Sequence, residues 1–221
     1  MKTIQGIIED CIKDIFKIST INLIGSGRTD SGVHARNQCA NIFLNTSMNT
    51  DQIKKALNSK LPTDIFIKEC SIVSDDFHSR FSATKREYLY YINYDNCPFK
   101  RLYSWNCKWL FDKEKLKESS KLLLGKHDFS LFSKASSETK NKFCNIECSE
   151  WAFENGQAIY NIHADRFLQH MVRLLVGTMI EVGRGRILLD DFLNMIHCKK
   201  TKFHSVRAPG EGLFLSSIQY D

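Results

Sequence analysis

The chain has 221 residues, 43% of them hydrophobic and 25% charged, which is ample for a buried core and suggests one large or two small domains. Lys and Arg number 31 against 25 Asp and Glu, so the formal charge is +6: a modest excess that favours a polyanionic partner, though it also serves solubility. Eight cysteines without a Cys-x-x-Cys pair or zinc-type spacing exclude a disulfide scaffold, and no signal peptide or membrane-length apolar run is present; a reduced, cytosolic protein is expected.

In chain order, Ile4, Ile7, Ile8, Cys11, Ile12, Ile15 and Phe16 follow the i, i+3, i+4, i+7 spacing of an amphipathic helix over 3–17, with Thr3 as its N-cap. Residues 19–24 and 36–44 read as strands on either side of a Gly-rich loop. Thr50 and Asp51 open a helix that runs to Leu61 and stops at Pro62. A strand follows over 65–73, and another over 85–94 with Tyr88, Tyr90 and Ile92 on one face. The turn cluster at Asp95–Pro98 marks a boundary between halves. Asp112 caps a helix ended by Gly125. Strands 141–153 and 157–164 form a hairpin across Asn155-Gly156. A helix spans 168–182 with Leu168, Met171, Val172, Leu175, Val176, Met179 and Ile180 as its buried stripe and Arg173 off it. A short helix begins near Asp190, and 212–220 is the last strand.

The loop Gly25-Ser26-Gly27-Arg28-Thr29-Asp30-Ser31-Gly32 concentrates the polar chemistry of the first half. Three glycines in eight residues require a sharp turn or a close approach, and the loop presents a cation, a hydroxyl and a carboxylate. It is neither a Walker loop, since no Lys-Ser or Lys-Thr follows, nor a dinucleotide fingerprint, since Asp30 stands where the third glycine belongs. These residues alone fit a plain Asp turn better than an active site.

Gly27-Arg28-Thr29-Asp30-Ser31-Gly32-Val33-His34-Ala35 resembles the G-R-T-D-A-G-V-H-A signature of the TruA-class tRNA pseudouridine synthases, with Ser31 in place of the usual Ala. Further blocks match in the family's order: Phe77–Thr84, Arg86–Tyr90, Leu124–Phe129, Phe167–Arg173 with Val176-Gly177, and Ala208-Pro209 with Gly212-Leu213. The resemblance implies an α+β fold of two RRM-like halves, 1–95 and 96–221, whose antiparallel sheets join across a central substrate cleft. Such chains begin with a strand of Tyr-Asp-Gly type that is missing ahead of the helix at 3–17. By the family topology that strand pairs in the first half's sheet, so a shortened form would expose ladder groups and apolar side chains there.

The same resemblance implies isomerisation of uridine to pseudouridine at about positions 38–40 of the tRNA anticodon arm, by a cytoplasmic homodimer, without metal. The reaction breaks N1–C1′, turns the uracil and rejoins it through C5. It involves no net redox change, so no cofactor is expected. It needs an ionised carboxylate near C1′ and C2′ as nucleophile or base. Asp30 matches the family's catalytic aspartate, Arg173 the arginine paired with it, and Tyr88 the active-site tyrosine. Phe167 is a candidate pocket wall. Since the target base must be extruded, RNA-holding groups are expected. Phe77, His78, Ser79, Arg80 and Phe81 match one RNA-binding segment, and Ser136 to Lys140 a second, where Ser137 and Lys140 replace a cysteine and an arginine. Arg28, Lys85, Arg86, Lys134 and Lys142 are candidate phosphate contacts. The competing expectation is a non-catalytic RNA-binding protein on the same fold.

Overall fold

In the computed structural model, which describes residues 3–95, 97–134, 136 and 139–220, the isoleucine-rich N-terminal segment forms α1 (Ile4–Phe16). Thr3 caps it, its hydroxyl accepting from the Gly6 N–H at 3.1 Å, and Lys17 ends it in the left-handed region at φ 54°. Then come β1 (Ile24–Gly25), β2 (His34–Ala35), β3 (Ala40–Asn41) and α2 (Thr50–Lys60). The cap of α2 is Asn49, one residue ahead of the expected Thr50, and its side chain and that of Gln52 form a reciprocal capping box.

The chain divides into two compact units, one running to Arg28 and resuming over Cys39–Ala83, the other made of Thr29–Gln38 and the chain from Thr84 onward. In the first, Ile12, Leu57, Leu61 and Ile65 are buried, with Ile7, Ile8, Ile15, Phe16 and Ile53 packed around them. The strands expected at 19–24, 36–44 and 65–73 are largely absent. β1 pairs with β3 over two residues, β2 belongs to the other unit, and 65–73 forms no strand. There the Asn58 side chain takes the place of a neighbouring strand. Its amide donates to the Ile67 carbonyl at 2.9 Å, and its carbonyl accepts from the Ile67 N–H at 2.8 Å. Residues such as Ile65, Phe66, Ile67, Ile72 and Val73 favour extended backbone, but a ladder also needs a partner.

The second unit is built on a seven-stranded sheet in the order β2-β9-β4-β8-β7-β6, with β5 also on β4. Its strands are β4 (Ala83–Asn93), β5 (Trp105–Asn106), β6 (Gly125–Asp128), β7 (Phe143–Glu154), β8 (Gln157–Ala164) and β9 (Leu213–Tyr220). The β4–β8, β7–β8 and β6–β7 pairs are antiparallel, while the short β2–β9 and β4–β5 pairs are parallel, so the sheet is mixed. The expected halves meet at residue 95; β4 pairs with β8 from Arg86↔Ala164 to Asn93↔Gln157. Asn155 and Gly156 both adopt positive φ, 46° and 72°, and close the β7–β8 hairpin as the sequence indicates.

Three helices pack with this sheet: α3 (Lys113–Lys121), capped by Asp112, α4 (Met171–Gly183) and α5 (Leu189–Ile196). In α4 every residue but Arg173 is buried, so it is a central helix rather than one with a single apolar stripe. It begins at Met171, not at residue 168, because His170 takes a left-handed backbone at φ 68°.

Gly177 of α4 lets the segment 206–212 lie directly on the helix. A Cβ there would stand 2.2 Å from the Val206 carbonyl oxygen and 2.9 Å from the Ala208 nitrogen. Gly177→Ala is therefore expected to lose about 1–3 kcal/mol by overpacking, outweighing the roughly 1 kcal/mol that Ala gains over Gly in a helix. Thermal melts check this, and an unchanged midpoint would show that the segment moves away freely.

Candidate active site

The Asp30 carbonyl accepts from the Val33 N–H at 3.1 Å, and Gly32 takes φ 80°, so residues 30–33 form a turn. The turn hangs from the sheet: β2 runs parallel to β9 from His34↔Phe214, and the Arg36 N–H donates to the Leu215 carbonyl at 2.8 Å. Behind it passes the segment 206–212. A Cβ on Gly210 would come within 2.8 Å of the Ser31 carbonyl oxygen, so only glycine allows that approach.

Segment 206–212 is fastened at several points. The Val206 N–H donates to the Thr178 hydroxyl at 3.0 Å, the Ala208 N–H to the Arg173 carbonyl at 3.0 Å, and the Tyr90 hydroxyl to the Pro209 carbonyl at 2.8 Å. Its Ala208 carbonyl in turn accepts from Arg173 Nε at 2.8 Å. That bond orients the guanidinium so that Nη1 meets Asp30 Oδ2 at 2.7 Å. A fork with one prong on a fixed carbonyl and the other on a carboxylate is a geometry particular to arginine. Asp30 and Arg173, 143 positions apart in sequence, are thereby brought together as the motifs imply.

The other oxygen, Asp30 Oδ1, faces His170 Nε2 at 3.4 Å. The Asp30 side chain keeps 19% of its surface exposed against 12% for Arg173 and 15% for His170, so it is the most accessible of the three. Burial pushes the His170 imidazole below its usual pKa; the Asp30 charge works against this, and Arg207, Arg173 and Lys134 add to it.

Tyr88, on β4, is partly buried against the core with Phe167 edge-on to its ring, centroids 5.1 Å apart. Burial pushes the phenol up to about 12; Arg86 opposes the rise and the Asp30 charge adds to it. The hydroxyl therefore stays protonated at neutral pH, suited to donate a hydrogen bond and not to serve as a phenolate base.

Residues 77–82 of the first unit form a tight turn. The Ser82 N–H donates to the His78 carbonyl at 2.8 Å, and the Arg80 and Phe81 N–H groups donate to His78 Nδ1 at 3.1 and 3.3 Å. Phe81 is 76% exposed with the His78 ring 4.3 Å away and the Arg80 guanidinium 5.6 Å from its centroid, while Phe77 is partly buried. Ser79 has no exposed surface: its hydroxyl donates to the Ile24 carbonyl at 2.5 Å and its N–H to Asn41 Oδ1 at 2.9 Å, which ties the turn to β1 and β3. Arg28, Ser136 and Lys140 are exposed, and Ser137 lies outside the described residues. Lys85 is ion-paired with Glu147, and Arg86 donates to the Asp165 carbonyl at 2.9 Å, so neither cation is uncommitted.

Sequence reading gives His170 no role, although it lies in the block Phe167–Arg173; His163 Nε2 likewise stands 3.4 Å from a carboxylate oxygen, Glu87 Oε1. Among the described residues no three His, Cys, Asp or Glu side chains converge as a metal set would require, and no helix is long and apolar enough to cross a membrane.

A family model described as tRNA pseudouridine synthase matches residues 1–82 and 120–221. The chain is 37% identical over 218 residues to the tRNA pseudouridine synthase A of Azobacteroides pseudotrichonymphae, covering 99% of this chain and 87% of that protein. Its similarity to the tRNA pseudouridine synthase A of Bacteroides fragilis is 37% over 218 residues, covering 96% and 86%. For the tRNA pseudouridine synthase A of Bacillus subtilis it is 34% over 223 residues, covering 100% and 90%. With a family model over most of its length and relatives of this identity over nearly all of it, the chain belongs to the tRNA pseudouridine synthase family of isomerases.

Proposed function

We propose that this chain converts uridine to pseudouridine at about positions 38–40 of the tRNA anticodon arm, with Asp30 as the reacting carboxylate. The observation that carries the proposal is the Asp30 carboxylate itself: ion-paired through Oδ2 to a guanidinium that is held by the Ala208 carbonyl, and more exposed than Arg173 and His170. An ionised carboxylate so held can attack C1′ or take the C2′ proton while N1–C1′ breaks. The uracil then bonds to C1′ through C5, displacing the Asp30 carboxylate from C1′ on the first route, or with Asp30 returning the proton to C2′ on the second; the C5 proton leaves to solvent, and N1 gains a proton. Tyr88 and Phe167 form the wall for the turning base, and the neutral Tyr88 hydroxyl donates a hydrogen bond to it.

The test is incubation of unmodified tRNA carrying tritium at uridine C5, followed by mapping of the product. Release of tritium with pseudouridine in the anticodon arm is expected. Binding without release would favour the non-catalytic reading.

For RNA binding the proposal assigns Arg28, Phe77, His78, Arg80 and Phe81 on the first unit, with Ser79 holding their turn in place. On the second unit it assigns Ser136 and Lys140. An exposed aromatic flanked by a guanidinium suits base stacking. Affinity for tRNA should fall with salt, at a log–log slope of roughly −0.7 to −0.9 per phosphate neutralised. Replacing Arg80 and Lys140 together should flatten the slope by about two such units. A slope unchanged in the double variant would remove these residues from the RNA path.

We also infer a cytoplasmic homodimer. Support for self-association is the run of exposed apolar side chains Phe99, Leu102, Tyr103, Trp109 and Leu110 in the second unit. Light scattering on the eluting protein tests it, and a monomer at micromolar concentration would rule it out.

A further inference from the structure

We propose that His170 is a positioning residue of this site, holding Asp30 Oδ1 through Nε2–H while Arg207 selects the tautomer that can do so. The inference rests on Asp30 being the reacting carboxylate. Arg173 fixes one carboxylate oxygen only; without a second hold, the group can rotate about its bond to Cβ and carry Oδ1 away from the sugar. His170 Nε2 stands 3.4 Å from Oδ1, one small movement short of a hydrogen bond, as contacts of a reacting group often are before substrate binds.

Three observations separate this from a histidine that merely fills space. His170 adopts φ 68°, a left-handed conformation uncommon for residues with a side chain, at the N-cap of α4. Its side chain makes no capping bond to that helix, so the usual reason for a polar residue at this position does not apply. The imidazole is turned to Asp30 instead, and its other nitrogen, Nδ1, lies 3.5 Å from Arg207 Nη1. Arg207 can only donate, so when this contact closes to a hydrogen bond Nδ1 is the acceptor, and the single proton of the neutral ring is left on Nε2, facing Asp30.

The charged groups around the ring act in the same sense. Arg173 from α4, Arg207 from the segment behind the loop and Lys134 from the loop after β6 all oppose a second proton, against the pull of Asp30. The ring stays neutral and donates without adding charge to the site.

His170→Asn and His170→Gln form the decisive pair. Asn tolerates the left-handed backbone, but its amide reaches only as far as Nδ1. Gln places its amide nitrogen about where Nε2 lies. The Asn variant should lose about 10–100-fold in kcat with KM for tRNA within about threefold, because a misplaced reacting group costs rate rather than binding. The Gln variant should recover most of that loss. In ¹⁵N spectra of the wild-type protein at neutral pH, His170 should show the Nε2–H tautomer, and Arg207→Ala should yield a mixture of both. Equal turnover in the two variants, or an Nδ1–H ring in the wild type, overturns the proposal. Asp30→Asn separates the two readings: if it abolishes turnover while His170→Asn does not lower it, the role of His170 alone is refuted. If Asp30→Asn remains active, both readings fall.

Discussion

Asp30→Asn is expected to abolish isomerisation, with a loss on the order of 10³–10⁵-fold in kcat, while tRNA affinity stays within a few-fold of wild type. The amide keeps the volume of the carboxylate and the turn over 30–33 depends only on the backbone, so fold and RNA contacts survive. What is lost is an anion able to attack carbon or take a proton. The geometry adds a second cost. Both oxygens of Asp30 face donors, Arg173 Nη1 at 2.7 Å and His170 Nε2 at 3.4 Å. An asparagine offers one acceptor and one NH₂, so with its oxygen on Arg173 it turns N–H groups toward the imidazole. The ring can relieve that clash by moving its proton to Nδ1, which then faces Arg207. Tritium release and filter binding on the same preparations give the two numbers. Turnover within tenfold of wild type would remove Asp30 from the chemistry.

The residues whose partners lie close in sequence were the legible ones. Thr3 caps α1, Asn155-Gly156 closes a hairpin, and Tyr90 and Ile92 are fully buried on the face that their alternation indicates. The extended segments of the first unit were not. Residues 65–73 have the β-branched and aromatic residues of a strand, but the backbone at Ile67 is met by the Asn58 side chain, and nothing local in the sequence announces that. The start of α4 was misplaced for a related reason. Residues 168–170 carry a helical apolar spacing, and the left-handed turn at His170 that delays the helix places its ring against a carboxylate far away in the chain.

The candidate site divides along the same line. Asp30, Tyr88 and Arg173 were singled out by motif, which reports residue identity. The Ala208 carbonyl that holds Arg173 and the histidine on Oδ1 lie inside matching blocks that assign them no role, and the Gly210 that lets Ser31 approach lies outside them. They act through backbone atoms or through a tautomer, and neither is visible before the chain is folded. The block Ala208-Pro209 with Gly212 then has a physical meaning. It is the segment whose carbonyls take Arg173 Nε and the Tyr90 hydroxyl, and a Cβ on its Gly212 would stand 2.7 Å from Tyr90 Cζ.

Arg173 should be the second most sensitive position, and its substitutions separate charge from geometry. Arg173→Ala leaves the Ala208 carbonyl without its guanidinium donor and Asp30 with His170 as its remaining close donor in the site. Breaking a buried charge pair from one side costs about 3–5 kcal/mol. This pair keeps part of its surface in water, so roughly 2–3 kcal/mol is the expected loss. For a chain of this size that lowers the melting midpoint by about 5–10 °C. Turnover should fall by roughly 10²–10⁴-fold, because the carboxylate loses the anchor that holds it in its reacting position. Arg173→Lys keeps the charge but has no fork. One ammonium cannot serve the Ala208 carbonyl at 2.8 Å and Asp30 Oδ2 at 2.7 Å along the two directions that the guanidinium spans. The Lys variant should therefore recover much of the stability and little of the turnover. Melting curves and tritium release measured below the lowest midpoint would resolve the two contributions. If Arg173→Lys restores full turnover, the cation alone is what matters and the fork plays no part. If Arg173→Ala turns over like wild type while folded, the pair is structural and Asp30 is oriented by other groups.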